Sequence, residues 1–552
     1  MSQKKALLIG CFCAAALLAR GGEKKMIAHS WDLLAVQPSE VAGNLGAWEA
    51  LPLDGVSLVV TKKLPDGKSV SYANIMNDAE WDRAWLSEEV QTLRQCASRN
   101  LKHNFLTTFW APQKRLAWND DAAWTRFAHN LGVMAWLAKE GQAKGLLIDP
   151  EDYPGTRQYS LCPGDAPFAE SAALARKRGA QVMKSMAAEY PEITLLSFWL
   201  LSMAPMYFAE SDPLAAVEDD GNLWPAFLNG MLDALPPGAK MVDGDENAYR
   251  YEASRRDFYF AAWRTQNKAL ALVAPENRAK YQTQVLAGFG LYLDMYTNPT
   301  NAPWYFGEQD GSRLAHLRNN VAQAMDAAQE YIWIYGEQMD WIKWVGTSRK
   351  ANPTWEEKLP GFNATLSELR DSSKWAERQL ALRRQAGTLT NLLTNSACVP
   401  SKPEGSEGFR KGELPPTWWT WQQDNKRQGV FGADTQKGKG DHFSLCGVGV
   451  EEGCWGNSIR TAPRRQYVVE ADALGTAPSV HIYWKRNGAW DWSIPGVPVR
   501  LAKAGPDGWR HAFGWVTVPA DADELVLLLN VRQAEGDHTW FDNVCIYPLG
   551  AP

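Results

Sequence analysis

Short apolar runs alternate with longer amphipathic segments through roughly the first 345 residues of the chain. The runs are rich in Val, Ile, Leu and aromatic residues, whereas the segments between them repeat apolar residues at helical spacing, as Trp81, Trp85 and Leu93 do. Eight runs have the length of strands: residues 26–31, 55–60, 104–110, 145–151, 193–201, 239–244, 285–294 and 331–337. Strands that alternate with helices usually pair in parallel, so the pattern predicts an α/β fold.

The number of runs favours one architecture within that class. Eight strands with intervening helices over residues 26–349 predict a (β/α)₈ TIM-like barrel. An open, doubly wound sheet is the alternative. It is disfavoured because no glycine-rich phosphate-binding turn follows the first run.

The texture of the sequence changes after the barrel region. Residues 350–389 have helical spacing and are interpreted as a bridging segment that packs on the barrel. Residues 390–552 carry Pro, Gly and Ser clusters and then short alternating runs, such as SVHIYWKR (479–486) and ELVLLLNVR (524–532). Alternation at this spacing predicts an all-β, jelly-roll-type sandwich.

Carboxylates stand at the end of the fourth run, in the sequence KGLLIDPEDYPG (144–155). Side chains alternate along a strand, so Asp149 and Glu151 share a face with Leu147, which would point into the barrel. Active sites of such barrels lie at the carboxyl ends of the strands. Two adjacent, partly buried acids raise each other's pKa, which is how a general acid stays protonated. The alternatives are a helix-capping cluster and a Ca²⁺ site.

Other strand ends repeat the pattern of acids and aromatic residues. Glu246 and Glu337 follow the sixth and eighth runs, and we predict catalytic roles for them together with Asp149 and Glu151. The other candidates at strand ends are predicted to bind substrate: Trp31, Asp32, Trp110, Tyr153, Trp199, Asp243, Tyr292, Asp294, Tyr335 and Trp341. The chain has 27 Trp against 17 Tyr and 18 Phe, and Trp offers a flat apolar face that can lie against a sugar ring.

These features resemble the barrel of glycoside hydrolases. The resemblance rests on LLIDPEDY after the fourth run, DGDENAY (243–249) after the sixth and WIYGE (333–337) in the eighth. It implies that Glu151 is the general acid and that Glu246 or Glu337 is the nucleophile or base. Asp294 stands where the commonest retaining clan has a Glu, and Asp149 with Glu151 is similar to the substrate-assisted chitinase pattern. Retaining, inverting and substrate-assisted mechanisms therefore all stay open.

The C-terminal region resembles carbohydrate-binding modules, through NLLTNSAC (391–398) and HTWFDNVCIYPL (538–549). The sequence thus predicts a secreted glycoside hydrolase that acts on an oligo- or polysaccharide. The alternative is a non-catalytic glycan-binding surface protein on the same barrel. A lyase or esterase is disfavoured because there is no GxSxG nucleophile elbow.

Composition and charge limit the kinds of partner that the chain is expected to bind. The net charge is -6 and no long basic run is present, so nucleic acid is not an expected partner. No cofactor is expected, and no metal site either, since the sequence has neither CxxC nor HExxH. No run after the leader is long and apolar enough to predict a membrane span.

The first 25 residues predict export. Lys4 and Lys5 precede an apolar run, Ala6–Ala19, which is typical of a signal peptide. Lipid anchoring at Cys11 is disfavoured because few apolar residues precede it. In an oxidising compartment, Cys446 and Cys454 are close enough in sequence to bridge a hairpin-like loop.

Overall fold

The computed structural model describes residues 24–63, 69–252, 255–309, 311–402, 408–440, 442–463, 465–494, 496–519 and 521–549. This part of the chain forms two compact units, which divide between Arg370 and Asp371. Cys11 and the predicted signal peptide's apolar run lie outside the described residues. No helix within these ranges has the length and hydropathy needed to cross a membrane.

The first unit is a nearly closed barrel of parallel strands, as predicted. The strands are β1 (Lys25–Ser30), β2 (Gly55–Leu58), β3 (Phe105–Phe109), β4 (Gly145–Asp149), β5 (Thr194–Ser197), β6 (Lys240–Asp243), β7 (Val285–Ala287 and Phe289–Tyr292) and β8 (Tyr331–Gly336). Each strand pairs with the next, and β8 pairs with β1. Gly288 interrupts β7, whose first part pairs with β6 and whose second part pairs with β8.

Helices follow most of the strands. They are Trp31–Leu34, Pro38–Gly43, Leu45–Glu49, Ser87–Cys96, Asp121–Glu140, Phe168–Glu189, Pro213–Asp219, Trp224–Ala234, Arg255–Trp263, Arg278–Gln284, Arg313–Ala327, Trp355–Lys358 and Phe362–Arg370. The long helix Asp121–Glu140 begins where the Asp120 side chain accepts the Ala123 N–H at 2.9 Å, which satisfies one of the unpaired donors of its first turn. The first unit therefore has the strand–helix alternation read from the sequence.

Aromatic rings fill the upper part of the barrel interior. Phe198 stacks on Trp333 with ring centroids 4.3 Å apart, and His29 stacks on Tyr335 at 5.3 Å. Gly290 on β7 makes room for this packing, because a Cβ at that position would lie 2.6 Å from the Trp333 ring. The site at the strand ends thus has a dense and largely apolar floor.

The second unit is an antiparallel β-sandwich, also as predicted. One sheet contains Phe409–Lys411, Val430–Asp434, Ser444–Val448, His538–Pro548, Gln466–Gly475 and Arg510–Thr517. The other contains Trp419–Gln422, Gly453–Arg460, Glu524–Val531, Ser479–Arg486 and Ala489–Trp490, and Val497–Leu501 pairs with one strand of each. Their inner faces pack Trp455, Trp484, Leu527 and Phe541 into one core.

The expected disulfide between Cys446 and Cys454 is absent, and both thiols are free and buried. Cys446 pairs with Gly432 and Trp540 in the first sheet of the sandwich. Cys454 pairs with Trp421 and Asn530 in the second. The short connection between the two cysteines crosses from one sheet to the other, so it is not the hairpin that their spacing suggested.

The predicted bridging segment divides between the two units. Trp355–Lys358 and Phe362–Arg370 belong to the barrel unit, where the Phe362 ring lies 5.6 Å from that of Trp341. The next helix, Ser372–Gln385, packs instead on the sandwich, through Ala376 and Leu380 against Val468. The expectation that the whole segment packs on the barrel is therefore wrong for its last helix.

Candidate active site

The end of β4 holds the first two acids in a turn of defined geometry. Asp149 is the last residue of β4, and the residue is 4% exposed. Its Oδ1 accepts the N–H of Glu151 at 2.9 Å, and Pro150 between them stiffens the turn. The Tyr153 hydroxyl donates a hydrogen bond to Glu151 Oε2. Glu151 is half-buried and Tyr153 is largely exposed, so the turn presents the Glu151 carboxyl group towards the open end of the barrel.

Glu246 follows β6 and begins the 3₁₀ turn Glu246–Arg250. Its N–H donates to the Phe198 carbonyl at 3.2 Å, which ties this turn to the residue after β5. Asp245 before it has a left-handed backbone with a φ of 32°, unusual for a residue other than glycine. The strained residue turns the chain sharply at the strand end, directly before the half-buried Glu246.

Glu337 directly follows β8 and is oriented by two neighbours. Its N–H donates to Asp294 Oδ2 at 2.8 Å. The Tyr335 hydroxyl donates to Glu337 Oε1 at 3.0 Å, and this second contact fixes the direction of the carboxyl group. The acids predicted to be catalytic thus all lie at carboxyl ends of β4, β6 and β8.

The acids influence one another electrostatically. Burial, and then the charge of Glu151, raise the pKa of Asp149 to about 8. Burial, and then the charges of Glu151, Asp149 and Asp245, raise the pKa of Glu246 to about 8. Burial also raises the pKa of Glu151, as does the charge of Glu337, whereas the hydrogen bond from Tyr153 lowers it. The structure therefore brings these carboxyl groups together, and protons are retained among them near neutral pH.

Several rings surround the acids. Tyr292 stacks on Tyr335 at 5.4 Å, and Tyr249 lies 5.3 Å from Tyr292. Trp304, in the loop after β7, stands edge-on to Tyr292 at 5.8 Å and carries the Arg250 guanidinium 4.0 Å above its ring. Our sequence reasoning missed Trp304 and Arg250, because neither lies at a strand end.

Trp199 belongs to a pocket beside the acids. This pocket has a volume of about 370 Å³ and lies between the loops that follow β4 and β5. Pro150, Trp199, Met203, Tyr207 and Trp224 contribute to its lining, together with polar groups that include Asp152 and Asn222. Because Pro150 separates Asp149 from Glu151, the pocket is continuous in sequence with the acid-bearing turn. Trp31, at the end of β1, is 55% exposed.

Three acids predicted to bind substrate are instead buried as anchors of loops. Asp243 accepts the backbone N–H groups of Leu200, Leu201 and Ser202 at 2.8 to 2.9 Å. Asp294 accepts those of Glu337 and Gln338. Asp32 accepts the Trp341 N–H and the Trp344 indole N–H, each at 3.0 Å. Carboxylates that receive several N–H groups order the loops around the site and leave little oxygen surface for a ligand.

Two tryptophans in the predicted set also lie away from any open surface. Trp110 is fully buried, and its indole N–H donates to Thr108 Oγ1 at 3.0 Å. Trp341 is 4% exposed and packs on Phe362. Proximity to a strand end does not distinguish such core residues from rings that face a cleft. Among the described residues, no group of three or more His, Cys, Asp or Glu side chains is arranged to hold a metal ion.

The sandwich has its own aromatic surface, on the outer face of its second sheet. Val480, Ile482 and Trp484 point into the core, so His481, Tyr483 and Lys485 occupy the opposite face of their strand. Trp490 and Trp492 stack at 4.9 Å with their planes 10° apart, and Trp419 stands edge-on to Trp490 at 6.4 Å.

Gly456 leaves space for an aromatic ring to lie on this face. The Trp419 ring covers Gly456, where a Cβ would lie 2.1 Å from it. Trp421, two residues along the same strand, is 38% exposed, whereas Trp418 is buried in the core. The half-buried rings of Trp419, Trp490 and Trp492 and the exposed ring of Trp421 therefore form one aromatic surface, which we call the sandwich platform.

Comparison with known proteins gives a likeness at the level of structure alone. No protein-family model and no curated protein sequence matches the chain. A family 22 carbohydrate-binding module of Clostridium thermocellum Xyn10B aligns with 29% of this chain and 98% of its own, at 13% identity and a TM-score of 0.21.

Two enzymes align over a smaller share of their own length. The α-L-arabinofuranosidase MgGH51 aligns with 29% of this chain and 27% of its own, at 9% identity and a TM-score of 0.21. The enzymatically active domain of bacteriophage CBA120 tailspike protein 4 aligns with 29% of this chain and 21% of its own, at 12% identity and a TM-score of 0.23. Glycoside hydrolases and carbohydrate-binding modules, the two classes that the sequence resembles, are thus among its structural neighbours.

Proposed function

We propose that the barrel hydrolyses glycosidic bonds in an oligo- or polysaccharide and that the protein is exported to meet it. The observation that carries this proposal is the group of acids at the barrel mouth, in which Asp149 and Glu246 have a pKa of about 8. Hydrolysis of a glycosidic bond needs one protonated carboxyl group and one ionised carboxylate. Burial, and then the neighbouring like charges, keep protons within this group near neutral pH.

The roles follow from exposure and hydrogen bonding. Glu151 is the proton donor, because it is less buried than Asp149 and its pKa is raised. Asp149 and Glu246, each with a pKa of about 8, retain protons near neutral pH and are the reserve from which Glu151 is protonated. Glu337, oriented by Tyr335, is the partner carboxylate that acts as nucleophile or base. Tyr153, Tyr335 and Trp199 offer rings to the sugars on either side, whereas Tyr292 is buried against Tyr335. Trp31 is exposed at the rim.

The test is loss of hydrolysis without loss of binding. We expect Glu151→Gln to lower kcat by about 10²–10⁴-fold on the saccharide that the wild type cleaves best, which is the usual contribution of a general acid. Reducing-end release from a panel of polysaccharides measures the rate, and affinity electrophoresis on the same panel measures binding. The matched control is Glu192→Gln, an exposed Glu that precedes β5 at the opposite end of the strands. A wild-type rate in Glu151→Gln would contradict the assignment.

A non-catalytic glycan-binding protein is the second candidate, and the sandwich platform favours it. Stacked and exposed rings on one face are typical of a saccharide-binding surface. Wild-type protein that binds glycans of the panel but releases no reducing ends from any of them would support this candidate over the hydrolase.

A further inference from the structure

A second pocket of the barrel unit lies between the loop after β5 and the segments after β6. Its volume is about 390 Å³. The loop after β5 contributes Pro205, Phe208 and Ala209, and the chain after β6 contributes Tyr251, Asp257, Phe260, Trp263, Arg264 and Lys268. Both segments leave the carboxyl ends of their strands, as Glu246 does. The pocket is therefore built from the same group of loops as the acids but on different residues.

Two cationic side chains, Arg264 and Lys268, line this pocket. Arg264 is half-buried, and no residue in the described part of the chain forms a hydrogen bond or an ion pair with its guanidinium group. Lys268 is exposed, with its ammonium group 5.8 Å from the centre of the Trp263 ring. Arginine presents five N–H donors, and a half-buried guanidinium group with unused donors is suited to a planar anion.

The two acids near these cations, Asp245 and Asp257, each have an interaction already. Asp245 interacts electrostatically with Arg264 but is 2% exposed, and its Oδ2 accepts the Tyr251 hydroxyl at 2.9 Å. Asp257 also lines the pocket and has an interaction of its own. The N–H donors of the Arg264 guanidinium group, unlike these acids, have no hydrogen-bond partner within the described part of the chain and are available to a ligand.

The remaining walls are aromatic. Phe208, Tyr251, Phe260 and Trp263 surround the two cations. Such rings pack well against the C–H faces of a sugar. Arg264 to Lys268 form a π-helical turn at the end of helix Arg255–Trp263, and π-turns inside helices are frequent at functional sites. An anionic group attached to a ring of sugar size fits both kinds of wall.

We propose that this pocket binds a uronic acid unit of the glycan, with its carboxylate on Arg264 and Lys268 and its ring against the aromatic wall. The proposal rests on the proposed function of the barrel and names the class of substrate. The mouth itself carries Asp149, Glu151, Glu246 and Glu337, which would repel a chain that is charged at every unit. The substrate is therefore a largely neutral glycan with isolated uronic acid units.

Binding of monosaccharides to the full-length protein tests the pocket without requiring hydrolysis. Ligand-observed NMR titrations compare methyl glucuronide and methyl galacturonide with methyl glucoside and methyl galactoside. We expect the wild type to bind a uronide at least about tenfold more tightly than its neutral counterpart, since hydrogen bonds to a charged group are the stronger kind. Arg264→Gln should abolish that preference, and Lys268→Gln should weaken it. Lys102→Gln, an exposed Lys before β3, is the charge-matched control.

The outcomes separate the pocket from the proposed hydrolysis. Equal binding of acidic and neutral sugars by the wild type, or an undiminished preference in Arg264→Gln, overturns the proposal whatever the enzyme cleaves. Arg264→Lys covers the case in which Arg264→Gln does not fold, because it keeps the charge and loses the planar fork. We expect Arg264→Lys to retain only part of the preference, and full retention by this variant and by Lys268→Gln also overturns the proposal. Loss of hydrolysis in Glu151→Gln tests the other proposal separately.

Discussion

Asp149, Glu151 and Glu246 form a group in which the ionisation of one acid depends on the others. Burial is the largest cause of the raised pKa of each, and the neighbouring carboxylates come next for Asp149 and Glu246. Removing the negative charge of Glu151 should therefore make Asp149 and Glu246 easier to ionise. This coupling gives the site a pH dependence that a lone carboxyl group would not have.

The alkaline limb of the pH–rate profile measures the coupling. Hydrolysis needs a protonated donor, so we expect kcat/KM to fall as the pH rises through about 8, the pKa of Asp149 and Glu246. In Glu246→Gln, the limb should become less steep, because Asp149 then titrates near pH 8 without Glu246. A limb of unchanged steepness in Glu246→Gln would show that Glu246 does not contribute to it.

Asp149→Asn should stabilise the fold at alkaline pH while it lowers activity. The pKa of Asp149 rises from an ordinary 3.8 to about 8 on folding, so the folded state binds this proton more tightly than the unfolded state. Stability from this group is therefore present below about pH 4 and is lost as the pH rises towards 8. Asn keeps the oxygen that accepts the Glu151 N–H and carries no charge to be buried.

Thermal unfolding at two pH values checks the effect of Asp149→Asn. We expect the advantage of the variant over the wild type to be larger at pH 9 than at pH 5. The gain in unfolding free energy of the variant at pH 9 should be on the order of 2 kcal/mol, because one pKa unit corresponds to about 1.4 kcal/mol and the acids share protons. An advantage that shrinks between pH 5 and pH 9 would mean that Asp149 is not buried with a raised pKa.

The alternation of side chains along β4 was enough to predict Asp149 and Glu151 as neighbours at the barrel mouth. The same rule could not separate Glu246 from Asp243, which stand three residues apart at the end of β6. Asp243 is buried because three N–H groups of the loop after β5 converge on it. That convergence depends on the path of an irregular loop, which leaves no periodic signal in the sequence.

At the scale of the elements, Asp243 links β6 to the loop that carries Trp199. The N–H groups of Leu200 and Leu201 each lie 2.8 Å from its oxygens, directly after Trp199. We expect Asp243→Asn to disorder this loop, because an amide has one acceptor oxygen and its NH₂ group would face N–H donors. The unfolding free energy should fall by about 1–3 kcal/mol, the usual cost of unsatisfied buried polar groups.

Kinetics and stability together report on this loop. KM for oligosaccharides should rise in Asp243→Asn, since the pocket beside the acids shares Trp199, Leu200, Met203 and Ala204 with it. Asp219→Asn, an exposed acid at the end of helix Pro213–Asp219, serves as the control and should change neither quantity. An Asp243→Asn protein with wild-type stability and KM would mean that the loop keeps its shape without this anchor.

The elements differ in how far they could be predicted. All eight barrel strands were recognisable, because each is a buried apolar run between amphipathic helices. The short sandwich strands Phe409–Lys411 and Trp419–Gln422 were not, since they contain charged or polar residues and only partly buried rings. The partner of helix Ser372–Gln385 was also beyond prediction, because an apolar stripe shows that a helix packs but not on which surface.

At the scale of the whole molecule, a barrel with an acidic mouth and a sandwich with an aromatic platform occur in one chain. When a long ligand is bound at one of two tethered sites, its local concentration at the other site is raised, provided that it can reach both. A short soluble saccharide gains nothing from this arrangement. The sandwich platform should therefore affect only polymeric substrates.

Trp490→Ala tests whether the sandwich platform affects only polymeric substrates. The ring stacks on Trp492 and lies 5.2 Å below the Lys485 ammonium group, so its removal takes away the centre of the sandwich platform. We expect hydrolysis of short oligosaccharides to stay at the wild-type rate. Retention on the polymer and hydrolysis of it at low substrate concentration should fall by roughly 2- to 10-fold, since stacking on one aromatic ring contributes about 0.5–1.5 kcal/mol. Trp515→Ala, which removes a half-buried ring from the other sheet, is the control.

If both variants lose polymer binding equally, the effect reflects general damage to the sandwich. If Trp490→Ala binds the polymer like the wild type, the platform does not hold glycan.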